Sequence, residues 1–291
     1  MNLSLSRSFP IAKAALAAAV IACTFALACS LIGCASGGTD SSSADAGNTS
    51  ASTDGKTLRV AMELAYPPFE TKDDAGNPEG LAVDFIRDFG AAYGYDVQIE
   101  NTAWDGLIPS LQSDKADLVI SSMTITDERK QSVDFSDAYA MAQLAILANA
   151  DSGVASIDDL NQPGKKVAVK TGSTGDVYAT KNLADAEIVR LADESACVTE
   201  VVQGKADGFL YDQLTIYRNH QANPDTTEAV FIPFQDAEEW GIAVKKGNTE
   251  LLDQLNAFIA QSKTDGEFDR LTEKYLADEK KAFDQYGFKW F

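Results

Sequence analysis

From Thr57 onward the chain alternates between short apolar runs with strand spacing and longer stretches with helical spacing, and this alternation leaves few folds open. Leu58, Val60 and Met62 fall on one face of a strand, which ends at the turn-forming Tyr66-Pro67-Pro68-Phe69. Val83, Ile86, Phe89, Ala92 and Tyr93 recur at helical spacing and stop at Gly94, after which Val97 and Ile99 alternate again. Leu107, Ile108 and Leu111 mark a short helix before the apolar strand Asp117 to Ile120. A second series starts near Leu144. Its strands fall at Lys166–Val169, Glu187–Leu191 and Gly208–Tyr211, and its helices follow Ser173, Glu194 and Asp212. Phe231-Ile232-Pro233 and Gly241–Val244 read as further strands. Asn248 reads as the N-cap of a helix carrying Leu251, Leu255, Phe258 and Ile259 on one face, and Phe268, Leu271 and Tyr275 mark a last helix. Such a chain is an α/β protein with mostly parallel sheets flanked by helices. Two similar series predict two lobes, and ligands of such folds bind beyond the carboxyl ends of the strands.

The residues before Thr57 carry no core of their own. Arg7 and Lys13 precede a charge-free run from Ala14 to Ala28, too short to span a bilayer comfortably, and residues 1–33 read as a secretory signal peptide. The run closes on Leu31-Ile32-Gly33-Cys34, which resembles the bacterial lipobox. That resemblance implies that Cys34 carries a diacylglyceryl thioether at the mature N-terminus, and two acyl chains suffice for stable anchoring. Residues 34–56 have no large apolar side chain and read as a disordered leash, holding the folded part about 25 Å from the membrane. The leader holds two of the 24 basic residues and no acid, so 22 basic residues face 44 acidic ones in the rest of the chain. That balance opposes nucleic acid and anionic lipid as partners. Cys23 and Cys29 leave with the leader, so the folded part keeps only Cys197, which sits among Ala196, Val198, Val201 and Val202 and reads as a buried apolar residue. His220 is the only histidine, which leaves no metal or haem ligand set.

Three places after strands carry chemistry. Ser121-Ser122-Met123-Thr124-Ile125-Thr126-Asp127-Glu128-Arg129 offers hydroxyls, free amides and a planar guanidinium, which suit a carboxylate. A helix cap with an Arg paired to Asp127 or Asp134 is the plain alternative. Lys170 to Asp176 (KTGSTGD) opens a helix with glycines and hydroxyls, an anion-attracting arrangement. It lacks the Gly-Lys-Ser/Thr end of a phosphate loop and the spacing of a dinucleotide fingerprint. Asp212 can meet an ammonium or cap its own helix. Tyr66, Phe69 and Trp104 follow strands and suit either a core or a ligand wall.

Together these residues resemble the bacterial extracellular solute-binding proteins of family 3, the polar amino-acid receptors of ABC importers. The likeness runs from about Thr57 to Leu276 and is strongest over Leu107 to Tyr139, with Tyr66-Pro67-Pro68-Phe69, Gly172-Ser173-Thr174 and Trp240–Val244 as further landmarks. The resemblance implies a two-lobed periplasmic-binding-protein-like fold of type II. Lobe 1 would comprise 57–145 plus 238–291 and lobe 2 146–237, with hinge crossovers near Leu144–Asn149 and Ile232–Trp240. It further implies that Arg129 binds an α-carboxylate with Thr124, Ser173 and Thr174, that Asp212 holds the α-ammonium with Ser121 and Ser122, and that Tyr66 and Trp104 sandwich the side chain. Glu63 resembles the acidic position of basic amino-acid binders, whereas Lys170 adds a cation that favours an acidic or amide side chain. The ligand class is therefore polar or basic, with Arg, Lys and Gln all open.

The implied protein is a monomer on the extracytoplasmic face of the cell membrane that hands a free amino acid to an ABC permease and its ATPase. It would use no cofactor, no metal and no catalytic residue. Two other readings stand beside it: a cyclohexadienyl or arogenate dehydratase on the same scaffold, with Glu63 as general acid, and a ligand-sensing partner of a signalling receptor. Phe283, Tyr286, Phe288, Trp290 and Phe291, in the tail after Leu276, are expected to pack on lobe 1.

Overall fold

The computed structural model describes residues 56–284 and 290–291. The signal peptide, Cys34 and the leash through Gly55 lie outside the described residues, as do Tyr286 and Phe288. The chain runs β1 (Lys56–Met62), β2 (Thr71–Lys72), β3 (Pro78–Glu79), α1 (Leu81–Tyr93), β4 (Tyr95–Asn101), α2 (Leu107–Gln112), β5 (Leu118–Val119), α3 (Asp127–Lys130) and β6 (Val133–Phe135). It continues through β7 (Ala140–Ala142), β8 (Leu144–Asn149), α4 (Ile157–Leu160), β9 (Lys166–Lys170), α5 (Thr174–Asn182), β10 (Glu187–Leu191), α6 (Glu194–Val202), β11 (Gly208–Asp212) and α7 (Gln213–Ala222). The last elements are β12 (Thr227–Val230), β13 (Glu238–Trp240), β14 (Ala243–Lys245), α8 (Thr249–Ser262), α9 (Glu267–Tyr275) and α10 (Ala277–Asp284). The apolar stripe read on α1 is buried through Val83, Ile86 and Phe89, and Gly94 ends the helix in the left-handed conformation at φ 74°.

Two five-stranded sheets carry the lobes, in the orders β4-β1-β5-β14-β6 and β10-β9-β11-β8-β12. In the first, β1 runs parallel to β4 and β5, and only β14 is reversed, antiparallel to β5 and β6. The second repeats the plan: β9 runs parallel to β10 and β11, and β8 alone is reversed. Both sheets are thus mostly parallel, as the alternating pattern predicts. Each reversed strand is the one entered from the other lobe. β7 and β13 form an antiparallel ribbon between the sheets, with Glu238 opposite Ala142 and Trp240 opposite Ala140.

That ribbon places the first crossing one strand earlier than expected. Residues 144–149 are not the crossover but β8, inside the second sheet. Leu144 to Ala148 are all buried, because a strand covered on both faces must be apolar throughout. Ala145 and Leu147 pack on one side with Cys197, Phe209 and Ile216, while Ile146 and Ala148 pack on the other with Val167, Val169 and Leu210. Phe231-Ile232-Pro233 is also not a strand: β12 stops at Val230, and Ile232 is 62% exposed beside a proline that cannot donate to a ladder.

The first lobe's core gathers Val60, Met62, Phe85, Phe89, Ile120, Trp240, Leu255 and Phe258. The tail joins this core. Trp290 stands 6.3 Å from Phe69 and accepts a backbone bond from Met141 N at 2.7 Å. Phe283 meets Tyr217 of α7 at 5.2 Å and Phe231 after β12 at 5.7 Å. The tail thus packs on the lobe 1 core as expected, and Phe283 also touches elements of the second lobe.

Candidate functional site

The polar residues of the cleft are set by local chain geometry at strand ends. After β5 the segment 123–125 is stitched to the ribbon, with Ile125 N donating to Glu239 O at 2.8 Å and Gly241 N to Met123 O at 3.1 Å. Thr126 then caps α3, its Oγ1 accepting from Arg129 N at 3.2 Å, which fixes where the Arg129 side chain begins. The guanidinium donates to Thr124 O at 2.7 Å and, across the cleft, to Gly172 O at 3.1 Å. Among the described residues no carboxylate lies within 4.0 Å of it; neither Asp127 nor Asp134 pairs with Arg129, since these meet Lys130 and Lys246.

The second lobe presents its contribution from two strand ends. Gly172 turns the chain after β9 with φ 74°, and Ser173 caps α5 through a bond from Asp176 N at 3.2 Å. α5 lies so close to β11 that a Cβ on Gly175 would stand 2.4 Å from Leu210 O. This contact brings Ser173 and Thr174 beside Asp212, the last residue of β11. Asp212 does cap its own helix, accepting from Leu214 N at 3.0 Å and Thr215 N at 3.1 Å. It also accepts from the Tyr66 hydroxyl of the other lobe at 2.6 Å. Burial pushes this carboxyl above its ordinary value, against the pull of those bonds.

Arg129 and Asp212 share one hollow. A cavity of about 40 Å³ is walled by both, with Trp104, Thr124, Thr174 and Glu238. It has room for about three water molecules, and the bonds from Arg129 to Gly172 O and from Tyr66 to Asp212, with the Lys170–Glu63 pair, close the lobes around it. Ser122 and Ser173 also reach its wall; Ser121, Tyr66 and Glu63 do not. Ser121 Oγ accepts from Glu63 N at 3.0 Å, and Ser122, at φ 48°, turns its hydroxyl to Glu70 at 3.1 Å. Tyr66 stacks on Phe69 at 5.7 Å and meets Trp240 edge-on at 5.8 Å.

The two residues that pull the ligand class in opposite directions are bonded to each other. Lys170 Nζ pairs with Glu63 Oε2 across the lobes, with side chains only 4% and 14% exposed. The same ammonium lies 5.3 Å from the Trp104 ring centroid, and the Arg129 guanidinium lies 5.2 Å from it. Two carboxyls escape a reading of the sequence. Glu70 is buried beneath Ser122, and burial holds it well above the usual carboxylate range. Glu238 accepts from Thr124 Oγ1 and from Thr174 Oγ1, each at 2.8 Å, and from Gln235 Nε2 at 2.8 Å. Nothing local marks Glu238, because its place follows from the pairing of β13 with β7.

Known proteins resemble this chain in sequence and fold. The model for bacterial extracellular solute-binding proteins, family 3, matches residues 58–278. A probable histidine-binding protein of Neisseria gonorrhoeae is 35% identical over 257 residues, covering 87% of this chain and 94% of its own. The L-arginine-binding protein of Pseudomonas aeruginosa is 33% identical over 253 residues, covering 80% and 90%. Among solved structures, an ancestral arginine-binding protein bound to arginine superposes with a TM-score of 0.70 at 37% identity, covering 76% of this chain and 98% of that one. The ancestral amino acid-binding protein AncCDT-1, a precursor of cyclohexadienyl dehydratase, gives 0.69 at 38% identity, covering 75% and 94%. With the family model matched over most of its length and two lobes closed on a shared polar hollow, this chain belongs to the bacterial extracellular solute-binding proteins of family 3.

Proposed function

We propose that the protein is an extracytoplasmic receptor, anchored through lipid on Cys34, that binds a free polar amino acid between its lobes and delivers it to an ABC permease and its ATPase. The observation that carries this reading is the shared cavity of Arg129 and Asp212. A guanidinium without a carboxylate partner among the described residues and a buried acid in one hollow match the two charged ends of an amino acid. Hydroxyls from Thr124 on one lobe and Thr174 on the other would contact the ligand only when the lobes are shut, so binding favours closure.

Glu63, the acid that the dehydratase reading would use, is tied to Lys170 as an ion pair, and this supports a binding role over proton transfer. Lys170 also fills the place beside Glu63 and Trp104 where a cationic side chain would rest. We read the preferred ligand as carrying an uncharged polar side chain, glutamine before arginine or lysine. The test is calorimetric titration with the common amino acids, comparing the parent with Arg129→Ala and Asp212→Asn. Both variants should fold and lose binding. Parent-like affinity in Arg129→Ala would overturn the assignment.

A further inference from the structure

The carboxylate of Glu238 takes the two threonine hydroxyls that the reading above assigns to the ligand's carboxylate. It accepts at 2.8 Å from the hydroxyls of Thr124 and Thr174, one from each lobe, and is steadied at 2.8 Å by Gln235. It lies on the wall of the same cavity as Arg129. Its position comes from β13, half of the ribbon that joins the lobes, where Glu238 faces Ala142. A carboxylate on the hinge that accepts from a hydroxyl of each lobe ties the two lobes together across the cleft. The remaining hollow, about 40 Å³, is too small for an amino acid.

We propose that Glu238 is an internal competitor for the ligand's carboxylate subsite and sets the receptor's affinity. The proposal rests on the amino-acid reading of the cleft given above. An incoming ligand takes the two threonine hydroxyls with its α-carboxylate, and Glu238 swings outward into water. The binding-competent form is populated only to the extent that Glu238 leaves, so apparent affinity falls by that fraction. Glu238→Gln removes the charge, Glu238→Ala removes the group, and Glu238→Asp retains the charge but draws it back by one methylene.

The experiment titrates L-glutamine, L-histidine, L-arginine and L-glutamate, one at a time, into the whole chain and into Glu238→Gln, Glu238→Ala, Glu238→Asp and Arg129→Ala. Small-angle scattering on each ligand-free form measures closure. The expected result is affinity about tenfold tighter in all three Glu238 variants, as expected when charge-assisted bonds no longer compete, together with a larger radius of gyration without ligand. Glu238 variants that bind no tighter than the parent, while Arg129→Ala loses binding, overturn the competitor and leave the amino-acid site standing. Arg129→Ala that binds like the parent overturns the site itself. Absence of binding by every form overturns both.

Discussion

Replacing Lys170 by Met tests whether the closed cleft is the resting state. The ammonium is 4% exposed and its partner Glu63 14%, so the substitution leaves a carboxylate in a site that water barely reaches. Breaking a buried pair by removing one partner costs about 3–5 kcal/mol, most of it the stranded charge rather than the lost attraction. For a domain of this size each kcal/mol lowers the melting temperature by about 2–4 °C, so a 3 kcal/mol loss gives a drop of about 6–12 °C. Glu63→Gln should cost less, because a neutral amide can still accept from Trp104 N, which now donates to Glu63 Oε1 at 3.3 Å. The double variant should recover most of the loss, since apolar or neutral replacements of similar volume are tolerated. Calorimetric melting of the four ligand-free proteins at pH 7 reads the coupling directly. Added L-arginine should stabilise Lys170→Met far more than the parent, its guanidinium taking the vacated place over Trp104. A Lys170→Met protein that melts with the parent refutes the reasoning, because it means that Glu63 is already in water and the lobes stand apart.

Gly175→Ala forces a Cβ to within 2.4 Å of Leu210 O, and overpacking of this kind costs about 1–3 kcal/mol; urea melts should show that loss, and titration should show weaker binding as Thr174 is displaced. Burial, aided by Asp212, pushes the Glu194 carboxyl from its ordinary 4.5 up to about 8. Between those values the folded protein holds a proton that the unfolded chain has released, so stability falls with rising pH, by at most about 1.4 kcal/mol per unit. Glu194→Gln should flatten that slope and stand above the parent at pH 8 in urea midpoints taken from pH 5 to 8; parallel profiles would refute this. Burial pushes the Cys197 thiol up to about 12, so protein beginning at Thr57 should resist a thiol reagent at pH 8 until denatured.

Much of this molecule is written locally. Strand and helix spacing marks β1, α1, β9 and α8 because each buries one face or two within a few turns of chain. Arg129 and Asp212 are legible for a related reason: both stand just past an apolar strand, at helix starts marked by Thr126 and by Asp212 itself, and strand ends in this fold line the cleft. Cys197 is legible from its apolar neighbours alone.

Tertiary structure decided what those groups do with one another. The sequence leaves Glu63 and Lys170 as conflicting hints; 107 residues apart, they become a buried pair only when two lobes close. Glu238 reaches Thr124 across 114 positions and Thr174 across 64, through a ribbon whose register no local pattern specifies. Residues 144–149 look the same as a crossover or as a strand until β11 and β12 flank them. Local spacing determines which face of an element avoids water, whereas charge pairing across a hinge depends on long-range closure that the chain acquires only as a folded whole.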